Sequence, residues 1–136
     1  MLDHLRQKAA QTLASANSIV LSSYGPADIQ SSRVSCTSHD LTLYVFIPRS
    51  SDQLLNLEQR PGIVAAADEW DLQGNARLLS WEQVPAEIKQ SGMAAGLNRP
   101  ASGSNSAWGW AVVEIRPTRL NLHSRTGLGN IETIDF

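Results

Sequence analysis

An all-β fold, a barrel or a sandwich preceded by a helix, is what this 136-residue sequence predicts. Three observations carry that expectation. Six or seven apolar segments of strand length follow one another, bounded by Gly, Pro, Asn, Asp or Ser. They do not alternate with helical patterns of about 10–15 residues, as parallel βαβ units require. An apolar content of 42% supports one core, and therefore one domain spanning residues 1–136.

The elements follow in order. Leu2, Leu5, Ala9, Leu13 and Ala16 recur at spacings of three and four, which places them on one face of an amphipathic helix. SIVLSSYG is a strand stopped by Gly25-Pro26. In QSSRVSCTSHD, Val34 and Cys36 alternate with Arg33, Ser35 and Thr37, so one face of this strand is polar and carries a cation. LTLYVFI, residues 41–47, is apolar or aromatic on both faces and predicts a strand covered on two sides. A short helix over 51–60 leads into GIVAAA, a buried strand, and DEWD makes a polar turn. LQGNARLLSW returns as a long strand that Gly74 bends or brings close to a neighbour. VPAEIKQSGMAAGL predicts a helix, and NRPASGSNSA, residues 98–107, a mobile loop. WGWAVVEIRPTRLNLHS predicts two strands broken by Pro117, and TGLGNIETIDF a polar tail.

A net charge of −2 gives no electrostatic footprint for nucleic acid or an anionic membrane, so neither is expected as a partner. The single cysteine, Cys36, cannot form an internal disulfide, and its apolar neighbours predict a buried thiol. The charged N-terminal turns differ from a signal peptide, and no run of about eighteen apolar residues occurs. A soluble, cytoplasmic protein is expected.

Most of the reactive residues are scattered. His4, His39 and His123 fall in three elements without the close spacing of a one-segment metal site. Asp68, Glu69 and Asp71 surround Trp70 but lack the glycine-centred loop of a calcium site, and predict a solvated hairpin turn. SGMAAGLN and TGLGN lack the lysine of a nucleotide-binding loop, and no nucleophile elbow is present. Trp108 and Trp110 share a strand face and predict a core or subunit-interface pair.

The stretch FIPRSSDQLLNLEQRPGIVAAA admits two functions. Arg33, Ser35, Arg49, Ser50 and Ser51 can converge on a phosphate, with N–H groups at the start of the short helix adding donors. Alternatively Ser50 is an N-cap and Gln53, three residues on, completes an S-x-x-Q capping box, with Asp52 favouring the same helix dipole. Spacing by itself favours the cap.

The succession IVLSSYG, SRVSC, LTLYVFIPRSSDQLLNLEQRPGIVAAA, the G-x-A of Gly74-Asn75-Ala76, VVEIRPTRLNL and ETIDF resembles the pyridoxamine 5'-phosphate oxidase-like family of FMN-binding split barrels, over roughly residues 5–135. The resemblance implies a six-stranded Greek-key barrel with an N-terminal helix and short flanking helices. It also implies a homodimer with FMN in clefts between subunits. The family's phosphate grip matches Arg33 on the early strand and Arg49, Ser50 and Ser51 in the turn, with Gln53 at the place of the family's lysine. A glutamine offers a neutral donor there, so Gln53→Lys is expected to tighten FMN. The family spans oxidases, reductases, haem-handling proteins and members without known activity, and its fold does not settle function. Two functions follow: an FMN-dependent oxidoreductase of unknown substrate, or a homodimer that has lost FMN and binds another small molecule such as haem. No side chain is proposed as an acid, base or nucleophile.

Overall fold

The computed structural model describes residues 2–26, 28–88, 90, 110–123 and 131–136. Helix α1 (Leu2–Ala14) leads into β1 (Ser18–Tyr24), β2 (Ile29–His39) and β3 (Thr42–Pro48). Helix α2 (Asp52–Gln59), β4 (Gly62–Ala66), β5 (Trp70–Leu79), a 3-10 turn (Trp81–Gln83), β6 (Trp110–His123) and β7 (Ile131–Asp135) follow. Every strand pairing is antiparallel. The order β3-β2-β1-β4-β5-β6 closes on itself through β3 and β6, which makes a six-stranded barrel. β4 returns beside β1 after the β1-β2-β3 meander, the Greek-key connection that the resemblance implies. Closure removes the sheet edges that an open six-stranded sheet would expose.

β7 adds a seventh strand outside the ring. The 14 residues of β6 make this possible, because 110–115 pair with β3 while 119–123 pair with β7. The polar tail expected after residue 126 is therefore corrected: its last part is a strand, anchored by the buried Ile134 between exposed Thr133 and Asp135. Residues 131 and 134, spaced by three, hide that alternation in the sequence.

Period-two alternation fills the barrel. Ile19 and Leu21 of β1, Val34 and Cys36 of β2, Leu43, Val45 and Ile47 of β3, and Val113 and Ile115 of β6 join one buried cluster. Ala9 and Leu13 of α1 and Leu57 of α2 belong to it as well, so both helices contribute to the barrel core. Strand β3 is buried on both faces, as expected: Tyr44 and Phe46 point outward into a second cluster with Leu79, Val84, Ile88 and Val112.

Pro117 does not break β6. The β5–β6 register shifts between Gln73 and Gly74, which leaves Thr118 without a ladder partner, and proline is tolerated where the ladder is interrupted. Thr118 Oγ1 donates to the Gln73 carbonyl at 3.1 Å, and the Phe136 N–H donates to the Thr118 carbonyl at 3.1 Å. Gly74 makes the close approach expected of it, since a Cβ there would lie 2.6 Å from the Arg116 carbonyl oxygen. Of the helix expected from Val84, residues 86–88 and 90 are helical. The loop 98–107, Trp108 and the glycines of TGLGN lie outside the described residues. No helix among the described residues is long and apolar enough to cross a membrane.

Candidate functional site

Because Val34 and Cys36 point into the barrel, β2 presents Arg33 and Ser35 on its outer face. Across the β1–β2 ladder Arg33 stands opposite Val20 and Ser35 opposite Ser18. The Arg33 guanidinium donates to Ser18 Oγ at 3.2 Å and pairs with no carboxylate among the described residues. Arg49 and Ser50 are exposed in the turn between β3 and α2.

The cap of α2 differs from the expected one. Ser51, not Ser50, is the N-cap, and its side chain accepts from the Gln53 N–H at 3.2 Å. The Ser51 N–H is itself held by the Pro48 carbonyl at 2.9 Å, which fixes the turn one residue later than the sequence pattern suggested. Gln53 is then the second helical residue, and no S-x-x-Q box forms.

Gln53 turns inward instead, and is 1% exposed. Its Nε2 donates to the Leu21 carbonyl at 3.1 Å, to Ser23 Oγ at 3.1 Å and, more weakly, to the Gln30 carbonyl at 3.4 Å. Its Oε1 accepts from Ser32 Oγ at 2.6 Å. Leu21 pairs with Ser32 and Ser23 with Gln30, so these four partners belong to two nearby rungs of one ladder. Asn56, one helical turn on, donates to Gln30 Oε1 at 2.7 Å. Gln53 shares its helix face with the buried Leu57 four residues later, and that i, i+4 spacing was the sequence signal for its burial.

Arg33 and Ser18 form one wall of an open cleft of about 590 Å³. Val20 and Ala66, paired across β1 and β4, line it between the strands. Residues Ser15–Asn17, just past α1, border it at one side and the turn Ala67–Trp70 at the other. That turn is closed by the Ala67 N–H on the Trp70 carbonyl at 2.8 Å and leaves Asp68 and Glu69 exposed, as expected of a solvated hairpin. Ser35, Arg49, Ser50, Ser51 and Gln53 do not line the cleft. The expected phosphate set is thus divided among the cleft, the exposed turn and the barrel interior.

Two polar groups were not legible in the sequence. Asp71, the ladder partner of Ala66, takes a contact from His123 Nε2 at 2.6 Å and a hydrogen bond from Asn121 Nδ2 at 2.8 Å. Thr133 extends this line by donating to Asn121 Oδ1 at 2.9 Å. Elsewhere on the outer surface, Glu114 is buried and its Oε1 is met by Arg116 Nε at 3.1 Å and Arg77 Nη2 at 3.5 Å. Burial and the Glu114 charge push the neighbouring Tyr44 phenol up, against the opposing pull of Arg116 and Arg77. Among the described residues no group of three or more His, Cys, Asp or Glu is placed to hold a metal ion.

No protein-family model matches the chain. No curated protein matches it either. Solved structures do. General stress protein 26 from Bacillus anthracis is 16% identical, with a TM-score of 0.65 over 98% of this chain and 99% of that one. A protein from Clostridium acetobutylicum related to general stress protein 26, of the pyridoxinephosphate oxidase family, is 9% identical, with a TM-score of 0.67 over 98% and 96%. A pyridoxamine 5'-phosphate oxidase-related, FMN binding protein from Nostoc punctiforme is 10% identical, with a TM-score of 0.54 over 99% and 95%. At such identities the likeness is one of architecture, and the chain has the fold of the pyridoxamine 5'-phosphate oxidase-like split barrels.

Proposed function

We propose that this chain is a cytoplasmic, homodimeric split-barrel protein that binds FMN, and that it is an oxidoreductase whose electron chemistry is that of the flavin. The observation that carries this reading is Arg33, a guanidinium without a carboxylate partner among the described residues, at the wall of a cleft of ligand size and beside the Ser18 hydroxyl. Such a group fits a phosphate, since charge-assisted hydrogen bonds are the strong ones. Ser35, Arg49, Ser50 and the capped turn at Ser51 are the further candidates for the grip. Gln53 contributes through the helix start it stabilises, because its amide is already used inside the barrel. FMN would supply the redox chemistry, and the protein's residues the phosphate grip and an apolar floor.

A second reading, a homodimer that binds another planar ligand such as haem, is favoured by the same buried Gln53, whose amide is turned away from the exposed turn. The visible spectrum of the purified protein, before and after addition of FMN or haem, separates the two. For the first reading, Arg33→Ala weakens FMN by about tenfold and leaves riboflavin little changed, because only FMN presents the phosphate. Failure of FMN to bind the parent chain rejects this reading, and a monomer mass by light scattering rejects the homodimer.

A further inference from the structure

We infer that the cleft between α1, β1, β2 and the β4–β5 turn is bipolar and takes a zwitterionic small molecule, its anionic group on Arg33 and its ammonium group on Asp68. This rests on the reading above that the cleft is a small-molecule site, and it adds the charge class of what enters.

The two charges come from opposite sides of β1. Arg33 stands opposite Val20, and Val20 stands opposite Ala66. Asp68, two residues beyond Ala66, also borders the cleft. Arg33 and Ala66 are therefore separated by two strand spacings, about 10 Å between backbones, and Asp68 follows in the turn. They form no ion pair with each other, although both are exposed and border one cleft. The floor between them is made of small, half-buried side chains, Val20 and Ala66, which leave the space open. Two opposite charges that border one cleft without pairing with each other are complementary to a molecule that carries both signs.

A ligand with anionic groups at both ends meets repulsion at Asp68, whereas an ammonium group there is attracted.

The probes are 6-aminohexanoate, hexanoate and hexylamine, titrated calorimetrically into the full chain. Exposed ion pairs contribute up to about 1 kcal/mol, so the zwitterion is expected to bind about fivefold more tightly than either singly charged probe. Asp68→Asn removes its advantage over hexanoate, and Arg33→Gln removes its advantage over hexylamine. Circular dichroism of both variants checks that the exposed substitutions leave the fold intact. Equal affinity for the three probes, binding of none, or an unaltered preference in the variants overturns the inference. FMN is titrated in parallel. FMN binding without a preference for the zwitterion rejects the bipolar cleft and leaves the flavin reading standing. A zwitterion preference without FMN binding does the reverse.

Discussion

Ser32 donates its hydroxyl hydrogen to Gln53 Oε1 at 2.6 Å, across 21 residues of sequence. This contact ties the first turn of α2 to the inner face of β2, at the end of the barrel where Ser23 and Ser32 replace aliphatic side chains. Gln53→Leu keeps the volume and strands the Ser23 and Ser32 hydroxyls. The expected cost is about 2–3 kcal/mol, read as a lower urea midpoint with an unchanged slope. Gln53→Lys carries a related cost, because its ammonium must displace this bonded set or leave the barrel. The gain in FMN affinity expected from sequence therefore comes with lost stability. A Gln53→Lys protein as stable as the parent contradicts the role assigned to this amide.

Gly74→Ala tests the close approach of β5 and β6. A methyl group 2.6 Å from the Arg116 carbonyl forces the bulge open, at an expected cost of about 1–3 kcal/mol. Gly62→Ala is the control, since a Cβ there meets nothing within 4 Å. Equal thermal midpoints for the two variants contradict this account of the bulge.

Glu114 predicts an asymmetry. Its side chain is 10% exposed, whereas Arg77 and Arg116 are 59% and 72% exposed. Removing both arginines leaves a buried carboxylate without a counter-charge and is expected to cost about 3 kcal/mol. Glu114→Gln releases the arginines to water and is expected to cost about 1 kcal/mol or less. The same variant removes a charge that raises the Tyr44 phenol while the lowering arginines stay, so one tyrosine should titrate at lower pH by ultraviolet absorbance.

Cys36 makes stability fall in alkali. Burial pushes its thiol up to about 11, from an ordinary value of 9.0, and its Sγ lies 3.5 Å from the Ala16 carbonyl. The unfolded chain loses this proton at lower pH than the folded one, so the contribution is fully present below pH 9 and is lost as pH rises towards 11. Chemical denaturation of the parent and of Cys36→Ala across that range measures the difference. Matching slopes in the two proteins remove Cys36 as the cause.

The all-β class, the N-terminal helix, the outward position of Arg33 and Ser35 and the double burial of β3 were all legible in the sequence. Each depends on the direction in which neighbouring side chains point, and strand and helix periods write that direction locally. Long-range pairing is not written that way. Gln53 looked like a helix-cap residue or a phosphate donor until the β1–β2 ladder brought Leu21, Ser23, Gln30 and Ser32 around it. Asp71 and His123 are 52 residues apart and meet only because β5 pairs with β6. Pro117 broke a strand on paper, but a bulge opposite Gly74 accommodates it in the sheet. The sequence by itself determined which faces are apolar. The long-range strand pairing decided which polar residues were enclosed and which were left around the cleft, because only the register between strands sets the neighbours of each rung.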